Sequence, residues 1–369
     1  MKHGLLTPLP RLAPALSRMG GIAAAALFLA SIPPASAGIF GASKNDVAVK
    51  VASLPQKYHE VASIGMAFNP NASELAVESD ALNIDVWDWR SQRIIKTLEK
   101  PRGAAGVVLT DPLSYSPDGK LLAACDSNGV GDVVIRVWDA KSWGIAKDLT
   151  GPGSCSSMAF TRDGGLLVRA VYGGLRPSEL IVVRVDSWSE AWTLQLELTP
   201  QSLSISPDGS SIAVGGIVTT EAKHDPTHRE FEFHDDPWVR IISSKDPRVI
   251  KSIQADTMGP MVWSPDGSRL AIVGDRGVEI FDVNSGEKIL YDNGEKAGHM
   301  NVRFTRDGRY FIESSMNGRG TGFGVHIWDA QRQKLLQKIP GNPSSLAVSQ
   351  DSKYLAIGDA GHTTIWQFK

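Results

Sequence analysis

The chain has 369 residues, 42% of them hydrophobic and 21% charged, with 38 basic against 40 acidic side chains and two cysteines. A net charge of −2 leaves no cationic excess to neutralise phosphates, so no nucleic-acid partner is expected. Two cysteines exclude a disulfide-stapled mini-scaffold and a Cys-rich zinc protein.

Residues 1–37 carry Lys2, Arg11 and Arg18 and no acid, then an apolar run from Met19 to Ala30, then Pro33-Pro34 and Ala35-Ser36-Ala37. This order predicts a secretory signal peptide with small residues at the −3 and −1 positions of a cut after Ala37. The apolar run is too short to span a bilayer, so no transmembrane anchor is expected after cleavage. Losing three basic residues and no acid takes the mature chain from −2 to −5. The expected organisation is a signal peptide at 1–37, a short linker at 38–45 and one repeat domain at 46–369, in a periplasmic or secreted protein.

The repeat is visible without gaps. FNPNASELA (Phe68–Ala76), YSPDGKLLA (Tyr115–Ala123), FTRDGGLLV (Phe160–Val168) and ISPDGSSIA (Ile205–Ala213) align with WSPDGSRLA (Trp263–Ala271), FTRDGRYFI (Phe304–Ile312) and VSQDSKYLA (Val348–Ala356). Copies recur every 41 to 58 residues. Each reads as a hairpin. Alternating small and apolar residues lead into the turn; in Ser-Pro-Asp-Gly, proline presets φ and glycine takes the left-handed position before a bulge. A third strand follows, commonly ending in an aromatic and an acid, as in Val86-Trp87-Asp88, Val137-Trp138-Asp139, Ile280-Phe281-Asp282 and Ile327-Trp328-Asp329. A fourth, such as Arg93–Leu98 or Lys334–Ile339, completes the unit. Four short antiparallel strands in about 45 residues make one propeller blade.

These repeats resemble those of the WD40 and TolB-type (PD40, SPDG-repeat) propeller families over residues 46–369. The resemblance implies an all-β, seven-bladed propeller of four-stranded antiparallel blades. The seventh copy supplies three strands before the chain stops at Lys369, so Asp46–Leu54 is expected to complete it. WD40 repeats carry a buried polar network whose nearest counterpart here is His59, Ser79, Asp80 and Trp87. The tryptophans, including Trp87, Trp138, Trp263, Trp328 and Trp366, are expected in the packing.

The resemblance also implies that loops between fourth and first strands, and between second and third strands, share one face of the disc. His59, His224, His228, His234, His299 and His362 are expected in such loops, and His326 in a strand. The long segment Thr219–Pro237 (TTEAKHDPTHREFEFHDDP) accounts for the 58-residue spacing and reads as a long loop. Its His224, Asp225, His228, Glu230, His234, Asp235 and Asp236 mix imidazoles with carboxylates, which suits a divalent ion such as zinc. Their spacing matches no metal motif, since Pro226 opposes a helix aligning His224 with His228. The competing reading is a solvated insertion, and no cofactor is predicted beyond that metal alternative. Arg176, in YGGLRPS, is a candidate contact for an acidic partner. Cys125 and Cys155 fall at neighbouring strand ends, where a disulfide and two free thiols both remain open.

No nucleophile elbow, dinucleotide fingerprint or zinc-protease helix is present, so no catalytic residue is assigned. The favoured expectation is a monomeric scaffold binding a protein or peptide partner in the bacterial envelope. The alternative is a periplasmic, lactonase-like hydrolase with a metal held by His224, His228 and His234 plus a rim histidine such as His299 or His362.

Overall fold

The computed structural model describes residues 46–55, 65–79, 83–100, 113–127, 132–174, 176–221, 233–256, 258–274, 277–291, 298–316, 324–359 and 361–369. The signal peptide and linker expected at 1–45 lie outside them, as do His59 and Asp80. The described residues form seven four-stranded antiparallel sheets, and the chain is a seven-bladed β-propeller. The first strands of successive blades pack on one another around the axis, so within each blade the chain runs from inner to outer strand.

Local chemistry explains each hairpin. Ser116 Oγ donates to Asp118 at 2.6 Å and accepts the Leu121 N–H at 3.0 Å, while the Gly119 N–H closes the turn onto the Ser116 carbonyl at 2.9 Å. The same arrangement recurs at Thr161/Asp163, Ser206/Asp208, Ser264/Asp266, Thr305/Asp307 and Ser349/Asp351. Gly119 sits at φ +72°, a region that favours glycine. The aromatic-acid ending of the third strand has an equally local cause. Asp139 accepts the backbone N–H of Lys141 and of Ser142, at 3.1 and 2.7 Å, and so caps the turn into the outer strand.

The core is divided among the seams between blades. Side chains alternate across each sheet, one set facing the preceding blade and the other the following one. Seven clusters of buried apolar residues result among the described residues, one per seam. Between blades seven and one, Met66, Phe68, Leu75 and Trp87 pack on Ala347, Ala356 and Ile365. The five tryptophans singled out above lie in or against such clusters, as expected.

Ring closure follows the expected route. The strand Ala48–Pro55 pairs antiparallel with His362–Phe368, from Ala48↔Phe368 to Pro55↔His362, as the outermost strand of blade seven. Gln337, in the outer strand of blade six, clasps it from the side. Its Oε1 accepts the Ala48 N–H at 2.8 Å and its Nε2 donates to the Ala48 carbonyl at 3.0 Å.

The repeated turn makes the ring acid-sensitive. The hydrogen bond from Ser116, with lesser help from Lys120, draws the Asp118 carboxyl down to about 2, and Thr161 and Ser206 lower Asp163 and Asp208 in the same way. A carboxyl lowered by folding stabilises the fold above its unfolded value of about 3.9, and that contribution is lost as pH falls through the folded value. Urea midpoints should therefore fall between about pH 4 and pH 2. Ser116→Ala combined with Ser206→Ala should flatten that decline; an unaltered acid slope would refute the assignment.

Candidate functional site

Blade four departs from the common plan. Its inner strand, Thr199–Ile205, pairs with the second strand only as far as Ile217, and its outer strand, Val249–Gln254, pairs with the third only from Trp238. The second and third strands, Ser211–Glu221 and Phe233–Ser243, run on together. Among the described residues Val218–Glu221 and Phe233–Asp236 pair only with each other, as a two-stranded ribbon standing beyond the sheet. The β-branched run Val218-Thr219-Thr220 favours extended backbone, and Thr219 Oγ1 donates across the ribbon to Asp235 at 2.7 Å.

This corrects the loop expected at Thr219–Pro237, since both its ends belong to a β-ladder. His234 and Asp235 are exposed on the ribbon and Asp236 is half-buried. His234 lies opposite Thr220, on the face shared by Val218 and Asp236; Thr219 and Asp235 occupy the other face. His224, Asp225, His228 and Glu230 fall outside the described residues.

The other candidates are spread around the disc. His299 and His362, expected in loops, instead belong to strands: His299 pairs with Ser315 in blade six, and His362 opens the third strand of blade seven opposite Asp359. The inner strand of blade six starts at Gly298 and so takes in His299; in blade seven a tight connection after Asp359 leaves His362 within the ladder. Arg176 is exposed in the bend between the second and third strands of blade three. His234, His299 and His362 therefore stand in three different blades. Among the described residues no three His, Cys, Asp or Glu side chains are grouped to hold a metal ion. His326 sits in a strand as expected, buried against Glu313 with Nδ1 2.9 Å from Oε1. Cys125 and Cys155 form a disulfide joining blades two and three, with Cα atoms 6.2 Å apart.

A cleft of about 560 Å³ on the opposite, turn-bearing face was not expected from the sequence. It opens between blades four and five over Trp263 and Ile250, with Arg162 and Lys251 on its walls. Arg162 Nη1 donates to the Pro207 carbonyl at 3.1 Å, and Lys251 Nζ donates to the carbonyls of Val283 and Asn284. Asp208 and Asp266 are held within their own turns. The cleft thus offers shape and hydrogen-bonding groups rather than an activated nucleophile. Its one sequence signal was arginine at 162, where four copies carry proline.

The fold and these surfaces define a seven-bladed β-propeller with a projecting ribbon. No family model and no curated protein matches the chain.

Proposed function

We propose that this chain is an exported propeller of the WD40-like or TolB-type kind, acting as a binding scaffold for a protein or peptide in the bacterial envelope. The ribbon of blade four is the observation that carries this reading. A rigid ring presents it, and two strands paired only with each other leave main-chain groups along their outer edges for an incoming extended segment. Ring packing does not account for its length, because the ladders to the inner and outer strands stop at Ile217 and Trp238. The segment Thr219–Pro237 carries six carboxylates against Lys223 and Arg229, which favours a basic extended partner. The basic and apolar order of residues 1–37 supports export.

The test replaces residues 219–235 by Asn-Gly, a turn that joins the paired residues Val218 and Asp236. The seams lie elsewhere, so the variant should melt within a few degrees of the wild type. Crosslinking in periplasmic extract should capture an envelope protein with the wild-type ring and lose it with the variant. Capture of the same protein by both would refute the ribbon as the binding element. Stoichiometric zinc in the wild type, lost with the ribbon, would favour the metal-dependent hydrolase instead.

A further inference from the structure

Each blade presents to its predecessor a row of side chains running outward from the inner strand. In blade one the row is Met66, Val77, Asp85 and Thr97; in blade two, Leu113, Ala124, Arg136 and Asp148. Charges in these rows find partners within the protein. Asp85 accepts from Thr97 Oγ1 at 2.6 Å, and Arg136 forks onto Asp148 through Nε and Nη2, both at 2.8 Å. Arg240 of blade four approaches Glu197 at 3.7 Å. Glu279 of blade five meets Lys288 at 3.3 Å, and Glu313 of blade six faces His326.

Arg240 also keeps a buried, unbonded Nη1, but Arg169 of blade three differs in having no carboxylate of the described residues within ion-pair reach. Its counterparts are Val77, Ala124, Val214, Ile272 and Ile357, apart from Glu313, which has histidine across the ladder. The residue across the ladder from Arg169 is Ile181, followed by Thr193 on the outer strand. Arg169 is 7% exposed, and among the described residues no atom bonds its Nε or Nη1; Thr193 Oγ1, at the end of the same row, is likewise buried with no partner among them.

An extended arginine can cross the strand spacing of about 4.8 Å and lie over Ile181. Its Nη2 abuts Gly151 of blade two, where a Cβ would come within 3.4 Å. The seam around it is apolar, with Met158, Ile181, Ile135 and Leu149. Glu179 and Glu190 act on it only through their charge, and burial disfavours the cation more than they favour it. A guanidinium cannot shed its proton to escape this cost. Unbonded guanidinium N–H groups in the same row as an unpaired hydroxyl call for an acceptor carrying negative charge.

We propose that the seam between blades two and three binds a small monovalent anion, of the size and charge of chloride, at an unbonded N–H edge of the Arg169 guanidinium, with Thr193 Oγ1 as a further donor. The guanidinium is packed on its Nη2 side against Gly151 within an apolar seam, which favours a small ion over phosphate. Gly151 and Thr193 both belong to outer strands, so the ion enters from the circumference of the disc, away from the proposed partner-binding ribbon.

Thermal unfolding in sodium chloride or bromide, against sodium gluconate at equal ionic strength, tests this. Halide should raise the melting temperature of the wild type; at ten times its Kd it should shift the unfolding constant by about 11-fold. Arg169→Met should abolish the halide effect and melt above the wild type in gluconate, because a fitting apolar chain replaces an uncompensated cation. Thr193→Val should fold normally and weaken the halide response. Bromide-soaked crystals should show an anomalous peak beside Arg169. Equal melting of the wild type in halide and gluconate would overturn the proposal. So would a halide effect retained in Arg169→Met, or a crystal structure placing Glu179 or Glu190 on the guanidinium.

Discussion

Trimming the chain through Pro55 is expected to abolish cooperative unfolding, whereas trimming through Asn45 should leave the melting curve unchanged. The strand Ala48–Pro55 places Ala48, Ala52 and Leu54 in the core, with Leu54 fully buried. They contribute to two seams, since Ala48 packs between blades six and seven and Leu54 between blades seven and one. Truncating one buried leucine to alanine typically costs about 2–5 kcal/mol, and whole domains are stable by about 5–15 kcal/mol. Removing Leu54, two buried alanines and a complete ladder together therefore exceeds what the ring can lose. A graded version is Gln337→Ala, which strips both the N–H and the carbonyl of Ala48 of their partners. It should cost about 1–3 kcal/mol for each buried group left unsatisfied. Circular dichroism melts of the three variants decide the matter, and equal transitions for the two truncations would refute the closure.

The second large effect concerns the Cys125–Cys155 disulfide. It joins the second strand of blade two to the inner strand of blade three, 30 residues apart, and both residues are buried. Loop-closure entropy for a loop of that length corresponds to about 3–4 kcal/mol. Replacing both by alanine should lower the melting temperature by on the order of 5–10 °C, and either single variant should do nearly as much. Thiol titration of the denatured, unreduced wild type should find no free cysteine; two reactive thiols would remove the basis of this prediction. The same seam carries Arg169, so the covalent link spans the seam that holds an uncompensated buried charge.

Legibility followed the range of the interactions. The seven hairpins could be read because their turns make their bonds within five residues: Ser/Thr-x-Asp-Gly in five copies, as between Ser116 and Leu121, with Asn69-Pro-Asn-Ala in the first and Ser349-Gln-Asp-Ser in the seventh. The closing strand could be read because Asp46–Leu54 alternates like a strand and the seventh copy lacks a fourth one; which of its residues face inward could not, since the bulge between Lys50 and Ala52 turns Ala48 to one seam and Leu54 to the other and leaves Val51 exposed. The disulfide could not be resolved, because it depends on how close two blades come, which no residue of either hairpin reports. The ribbon of blade four hides in the sequence because the 58-residue spacing marks an insertion without showing its conformation, although the β-branched Val218-Thr219-Thr220 favours strand. Arg169 was overlooked, yet a charge in a column otherwise filled mainly by valine, alanine and isoleucine is a signal that aligning the copies can expose. The cleft between blades four and five arises where two turns and an outer strand meet, and so had only Arg162 as a local sign.

The joint between Ala48–Pro55 and His362–Phe368 also bears on biosynthesis. In chain order the two strands stand at opposite ends of the propeller, so the ring cannot shut until His362–Phe368 has been made. Until then the early strand lacks its neighbour and the newest blade shows a bare edge, a combination prone to pairing with other chains. A ring assembled in this way depends on the final strand of blade seven to finish folding, and a chain cut before His362 should yield aggregate rather than a slightly smaller disc.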